Sequence, residues 1–135
     1  MAGFTRWPWW RRWFGRKAER SAARFLSRRG FRILATNLDD RLGELDILAW
    51  HDVSLVIVEV RSSESRSLDE LAATVDKTKQ KRITAAAVRF LTRRKLLGTT
   101  VRFDVLAVRW PPGRNPEFLH LPDAFPAVGN FQMFN

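Results

Sequence analysis

Two acidic residues, Asp46 and Glu59, stand in otherwise apolar stretches, LDILAW (45–50) and LVIVEV (55–60), joined by the polar step His51-Asp52. β-Branched residues and alternation in the second stretch predict strands, with the turn at His51 to Ser54. If the turn is centred between Asp52 and Val53, residues whose numbers sum to 105 face each other, and Asp46 and Glu59 are such a pair. Directly opposed residues of an antiparallel pair hold their Cβ atoms roughly 4.5–5.5 Å apart. Two like charges so placed repel, and each loses hydration if buried. A hard divalent cation, Mg²⁺ or Mn²⁺, removes both costs through oxygen ligands. Arg61 lies two residues beyond Glu59, so it shares that strand face. The hairpin alone fits a metal site and a metal-free carboxylate–arginine cluster equally well.

The elements that must position these residues are legible as periodicities. A helix is expected over Arg16 to Arg28, with Glu19, Ala22, Ala23 and Leu26 in one 100° arc and Gly30 as the residue that ends it. Phe31 to Thr36 reads as a strand, Asn37 to Arg41 as a turn, and Ser62 to Leu68 as a polar loop. A second helix is expected from Asp76 to Lys95, its apolar arc holding Ile83, Ala86, Ala87, Phe90 and Leu91. Lys79 falls between Ala86 and Phe90 on that arc. It either meets a carboxylate or phosphate or snorkels over the core edge. Arg82, Arg89 and Arg93 form a stripe beside it. Val101 to Trp110 alternates as a strand, stopped by Pro111 and Pro112, and Glu117 to Leu121 reads as a short edge strand.

The order is α-β-β-β-α-β(β), an α/β protein with a mixed sheet flanked by helices. Glu19, Asp46, Glu59 and Lys79 all point where apolar residues belong, and local rules fail most often at functional sites. The expected organisation is a mobile Trp/Arg-rich extension over 1–14, one domain over 15–125, and a loose tail over 126–135. The extension, with Trp7, Trp9, Trp10 and Trp13 among arginines, resembles membrane-active peptides; its chemistry also suits stacking on unpaired bases.

The 135-residue chain is large enough for one core, and it contains no cysteine, which excludes disulfides and thiolate zinc sites. No apolar run approaches the ~18 residues of a membrane span, and the basic start lacks the features of a signal peptide, so the expected compartment is the cytoplasm. Net charge is +10. Residues 1–17 and 77–95 together carry thirteen cations and no acid, which exceeds the net excess. Such patches fit a polyanion, and nucleic acid is the expected partner, met by Lys77, Lys81, Arg82, Arg89 and Arg93. His51 reads as a turn residue and His120 as structural.

Gly15, Glu19, Ala22, Leu26 and Gly30, followed by Ile33-Leu34, Asn37 and GELDILA (43–49), resemble the YraN family of small bacterial proteins. Val58-Glu59-Val60-Arg61, Lys79 with Arg82-Ile83 and Ala86-Ala87, Arg102-Phe103-Asp104-Val105, and His120 to Phe125 continue the match, which covers about residues 15–125. The resemblance implies a restriction-endonuclease-like (PD-(D/E)XK) core, similar to Holliday-junction resolvases, and a Mg²⁺-dependent endonuclease acting on DNA, branched DNA included. It puts metal ligands on Asp46, Glu59 and the Val60 carbonyl, and the superfamily's core lysine on Arg61. Glu19 then holds a water on the metal, while Arg61 and Lys79 grip phosphate. Arginine stays protonated, so it cannot serve as a general base, but it can hold phosphate. The rival readings are a non-catalytic nucleic-acid-binding module and a membrane-surface adaptor using the Trp/Arg arm. A homodimer is the assembly to test for.

Overall fold

The computed structural model describes residues 9–128, with the backbone alone for 9–14. Helix α1 spans Trp9–Arg28, so it starts seven residues earlier than the periodicity suggests. Ala18, Ala22 and Leu26, spaced by four, are wholly buried along its inner face. It ends as expected at Gly30, whose φ of 92° only glycine adopts without strain. Phe31 N–H donates to the Leu26 carbonyl and Gly30 N–H to that of Ser27, which satisfies the last free carbonyls. Residues 1–8 of the expected extension lie outside the described residues.

Strand β1 (Arg32–Asp40) corrects an expectation: Asn37 to Arg41 is not the turn. Asn37 takes φ 54° inside the strand, and the register shifts between Ile33 and Ala35, yet pairing with β2 (Gly43–His51) continues to Asp40↔Gly43. Asparagine tolerates the left-handed region, so a turn-type residue sits within a bulged strand. The turn lies one step later. Asp40 Oδ1 accepts the Leu42 and Gly43 N–H groups at 2.9 and 3.1 Å.

Strand β3 (Ser54–Ser63) pairs antiparallel with β2 through Ile47↔Val58, Leu48↔Ile57, Ala49↔Val56, Trp50↔Leu55 and His51↔Ser54. Every pair has the expected sum. The next segment was expected to be a plain loop followed by one helix. It contains instead a short helix, α2 (Leu68–Ala73), closed by a capping box between Ser67 and Glu70. Helix α3 (Lys77–Arg93) follows, N-capped by Asp76, whose carboxylate accepts the Lys79 N–H. The α2–α3 crossover allows β4 (Val101–Arg109) to run parallel to β3, and β5 (Glu117–Leu121) returns antiparallel to β4. The sheet is mixed and five-stranded, in sequential order.

Its two faces carry separate apolar clusters. Ile47, Ala49, Val56, Val58, Leu106 and Val108 pack with Ala18, Ala22, Leu26 and Phe31 from the α1 side. Leu48, Leu55, Ile57, Phe103 and Val105 pack with Ile83, Ala86, Ala87, Phe90 and Leu91 of α3. Burial on both faces is why the central strands are continuously apolar. Beyond Pro126, where a loose tail was expected, Ala127 and Val128 pack on the α3-side cluster, and Val128 N–H donates to Thr84 Oγ1 at 3.1 Å. Residues 129–135 lie outside the described residues.

One polar hub is built into the core. Asp104 is wholly buried and accepts two bonds from Arg102 (2.8 and 2.9 Å), a contact from His120 Nε2 (2.8 Å) and the Asp123 N–H (2.9 Å). It ties β4 to β5 and the closing segment. His51 stacks on Phe31 with ring centroids 4.1 Å apart.

Candidate metal and phosphate site

The β2–β3 ladder stops at Ile47↔Val58, and the candidate site residues gather where it stops. One step beyond its last pair stand Asp46 and Glu59, side by side though no longer paired in the ladder. Asp46 Oδ2 accepts the Val60 N–H at 2.9 Å, so a carboxylate stands where a sheet would use a backbone acceptor. Both acids are buried, at 7% and 4% exposure. Their carboxyls are close enough to share a hydrogen bond. Burial raises the pKa of Asp46 well above the carboxylate range, the neighbouring Glu59 raises it further, and the Val60 N–H only partly opposes this. Burial also raises Glu59, against the pull of Lys79, Asp46 and Arg61.

On one side of this pair, α1 and the start of β2 add two more acids. One carboxylate oxygen from each of Glu19, Glu44 and Asp46 lies within 4.8 Å of the others. Glu19 Oε1 is buried without a hydrogen-bond partner. Burial, then the charges of Asp46 and Glu44, push the Glu19 carboxyl up to about 8. Glu44 was not among the expected site residues. It sits two positions before Asp46, and strand alternation was the signal that could have found it.

On the other side stand cations. Lys79 Nζ is 3.4 Å and Arg61 Nη1 is 3.5 Å from the same Glu59 oxygen. The inward Lys79 therefore meets a carboxylate, one of the two partners its position called for. Arg61 Nε also donates to Thr74 Oγ1 at 2.8 Å, a contact with no sequence signal because α2 was not foreseen. The result is a charge row: Glu19 and Glu44, then Asp46 and Glu59, then Lys79 and Arg61.

The remaining expected contacts divide into two groups. Lys77, Lys81 and Arg82 are exposed on the first half of α3. Half-buried Arg89 and exposed Arg93 both pair with Asp40, at 2.7 and 3.2 Å. With the Arg89 bonds foremost, these contacts hold the Asp40 carboxyl well below its usual range. Those two arginines thus clamp the β1–β2 turn onto α3. No helix among the described residues is long and apolar enough to cross a membrane.

Fold and site together define the class: an α/β protein with a mixed five-stranded sheet flanked by helices, and an acid–base row centred on the buried Asp46 and Glu59 where its central hairpin opens. The model of Uncharacterised protein family UPF0102 matches residues 18–108, and the chain belongs to that family, which is also called YraN. A UPF0102 protein of Rhodopirellula baltica is 44% identical over 119 residues, covering 85% of this chain and 71% of the relative. One from Treponema pallidum (strain Nichols) is 40% identical over 114 residues, covering 82% and 90% respectively. One from Myxococcus xanthus is 37% identical over 117 residues, covering 87% and 92%.

Proposed function

We propose that this protein is a DNA-acting, Mg²⁺- or Mn²⁺-dependent endonuclease with a restriction-endonuclease-like core. The observation that carries the reading is the buried Asp46–Glu59 pair with raised pKa values at the end of the hairpin ladder. The carboxylates of Glu19, Glu44 and Asp46 gather within 4.8 Å of one another beside Glu59, a donor set that suits a hard cation, and Glu19 Oε1 has no hydrogen-bond partner. Asp46 and Glu59 would hold the ion, with the Val60 carbonyl as a further ligand, and Glu19 and Glu44 would support it from the α1 side. When bound, the ion supplies Lewis-acid polarisation of the phosphate and activation of water.

This chain's own cations do the rest. Lys79 and Arg61 neutralise Glu59 and would face a bound phosphate, where fixed positive charge would favour the transition state over the ground state. Arg61 cannot accept a proton at neutral pH. Proton removal from water would therefore fall to a carboxylate, and Glu19, beside Asp46, is the one placed to take it. Lys77, Lys81 and Arg82 would carry neighbouring phosphates.

A second reading, a binding module without turnover, is favoured by one observation: Arg61, which the resemblance aligns with the superfamily's lysine, is held by Thr74 and Glu59. A single experiment separates the two. The protein is titrated with Mg²⁺ or Mn²⁺ on branched, flapped and linear DNA, beside Asp46→Ala and Glu59→Ala. The enzyme reading expects cleavage by the parent and background cutting by both variants, with binding retained. Binding by all three and cutting by none would leave the module.

A further inference from the structure

Helix α2 is six residues long and contributes one buried side chain, Leu71, to the core. Its ends are nonetheless tightly made. Ser67 Oγ accepts the Glu70 N–H at 3.1 Å, and Glu70 Oε1 accepts the Ser67 N–H at 3.2 Å. Thr74 is its C-cap, with its backbone N–H turned back to the Ala72 and Leu71 carbonyls. The Thr74 hydroxyl donates to the Leu71 carbonyl at 2.5 Å. Its proton is thereby committed, and toward Arg61 it can only accept, which it does from Nε at 2.8 Å.

This contact has an electrostatic consequence. A carboxylate partner would orient Arg61 but would also offset its charge. A neutral hydroxyl orients it without offsetting anything. The approach of Arg61 to Glu59 is looser, at 3.5 Å, and Glu59 divides its charge with Lys79. The Arg61 side chain remains 33% exposed, so an anion from solvent can reach it. Arginine offers paired donors matched to phosphate oxygens. A lysine at this position would place a methylene where Nε now stands and leave the Thr74 hydroxyl without its donor.

We propose that Thr74 is a positioning residue that aims the Arg61 guanidinium at a phosphate of bound nucleic acid, and that helix α2 exists to present it. The inference rests on the nucleic-acid reading above and adds a residue and an element to it. The Arg61–Thr74 pair is the unit that holds phosphate at this end of the charge row, and neither member is sufficient alone.

The test is fluorescence anisotropy with a labelled DNA duplex at fixed ionic strength, using the full chain and Thr74→Val, Thr74→Ser, Arg61→Ala and the Arg61→Ala/Thr74→Val double variant. Loss of one orienting hydrogen bond is expected to weaken binding by about two- to tenfold in Thr74→Val. Thr74→Ser keeps the hydroxyl and is expected to bind like the parent. The double variant is expected to bind no worse than Arg61→Ala, because Thr74 acts only through Arg61. Melting temperatures accompany each titration, and Thr74→Ala replaces Thr74→Val if the latter is unfolded. Parent-like binding by Thr74→Val, weak binding by Thr74→Ser, or additive losses in the double variant would each overturn the proposal. A parent protein that binds no duplex defeats the nucleic-acid reading itself. Weakening by Arg61→Ala without weakening by Thr74→Val defeats only the assignment of Thr74.

Discussion

Glu19 shows how a single side chain links the site to stability. Its carboxyl rises from an ordinary 4.5 to about 8, chiefly through burial and then through Asp46 and Glu44. Between those two values the folded chain retains a proton that the unfolded chain has released. Stability therefore falls as pH climbs through this window, is unaffected by Glu19 below about 4.5, and has lost the full contribution above about 8. Glu19→Gln removes the titration while keeping the shape. The melting temperature of the parent, measured without divalent metal, is expected to fall relative to Glu19→Gln from about pH 5 to about pH 8. Added Mn²⁺ should narrow that gap by stabilising the parent more at the higher pH, since the cation takes over the role of the proton. Parallel pH curves for the two proteins would rule out Glu19 as the group that titrates.

Two elements make predictions of their own. Strand β4 carries Asp104, whose carboxylate is wholly buried and accepts from Arg102, His120 and the Asp123 N–H. Asp104→Ala leaves the Arg102 guanidinium, 20% exposed, without its partner. Breaking a buried pair from one side costs about 3–5 kcal/mol, so urea unfolding should show a loss of that size. A loss under about 1 kcal/mol would mean that the hub is not structural. Helix α2 is too short to persist by propensity, so its capping box matters more than usual. Ser67→Ala is expected to cost about 0.5–2 kcal/mol locally. Hydrogen exchange should then quicken at Leu71 to Thr74 while Val56 to Val58 stay protected. Uniform quickening across both segments would show that α2 does not open independently.

At the scale of the molecule, charge is sorted by what it touches. The exposed cations of α3, Lys77, Lys81 and Arg82, face solvent, whereas Arg89 and Arg93 are paired with Asp40. The Asp40 carboxylate competes with phosphate for Arg89 and Arg93, so the first group is expected to carry more of the counterion release. Each phosphate contact contributes roughly −0.9 to the log–log salt dependence of duplex binding. Replacing Lys77, Lys81 and Arg82 with alanine should flatten that slope by up to roughly three such contributions. Arg89→Ala should leave the slope close to the parent's and lower the melting temperature, because it loosens the β1–β2 turn from α3. The reverse pattern would return phosphate binding to the second half of the helix.

Much of this arrangement follows from local chemistry. The apolar arcs of α1 and α3 place Ala22, Leu26, Ile83 and Phe90 in the core because a helix repeats every 3.6 residues. The β2–β3 register followed from strand alternation about a short turn, where Asp52 accepts φ 54°. That register alone sets Asp46 beside Glu59. Other features required the folded chain. Asn37 carries a turn signal, yet cross-strand pairing keeps β1 running to Asp40. Helix α2 is too short for periodicity to show, so the contact between Arg61 and Thr74 was invisible. Charge alone could not separate Lys81 from Arg89, because the distinction lies in Asp40, which is 49 residues from Arg89 along the chain. Periodicity and register are local properties, set by steric repeats along a few residues. The acidic trio around Asp46 and the partner of each cation depend on segments that only packing of α1 and α3 against the sheet brings together.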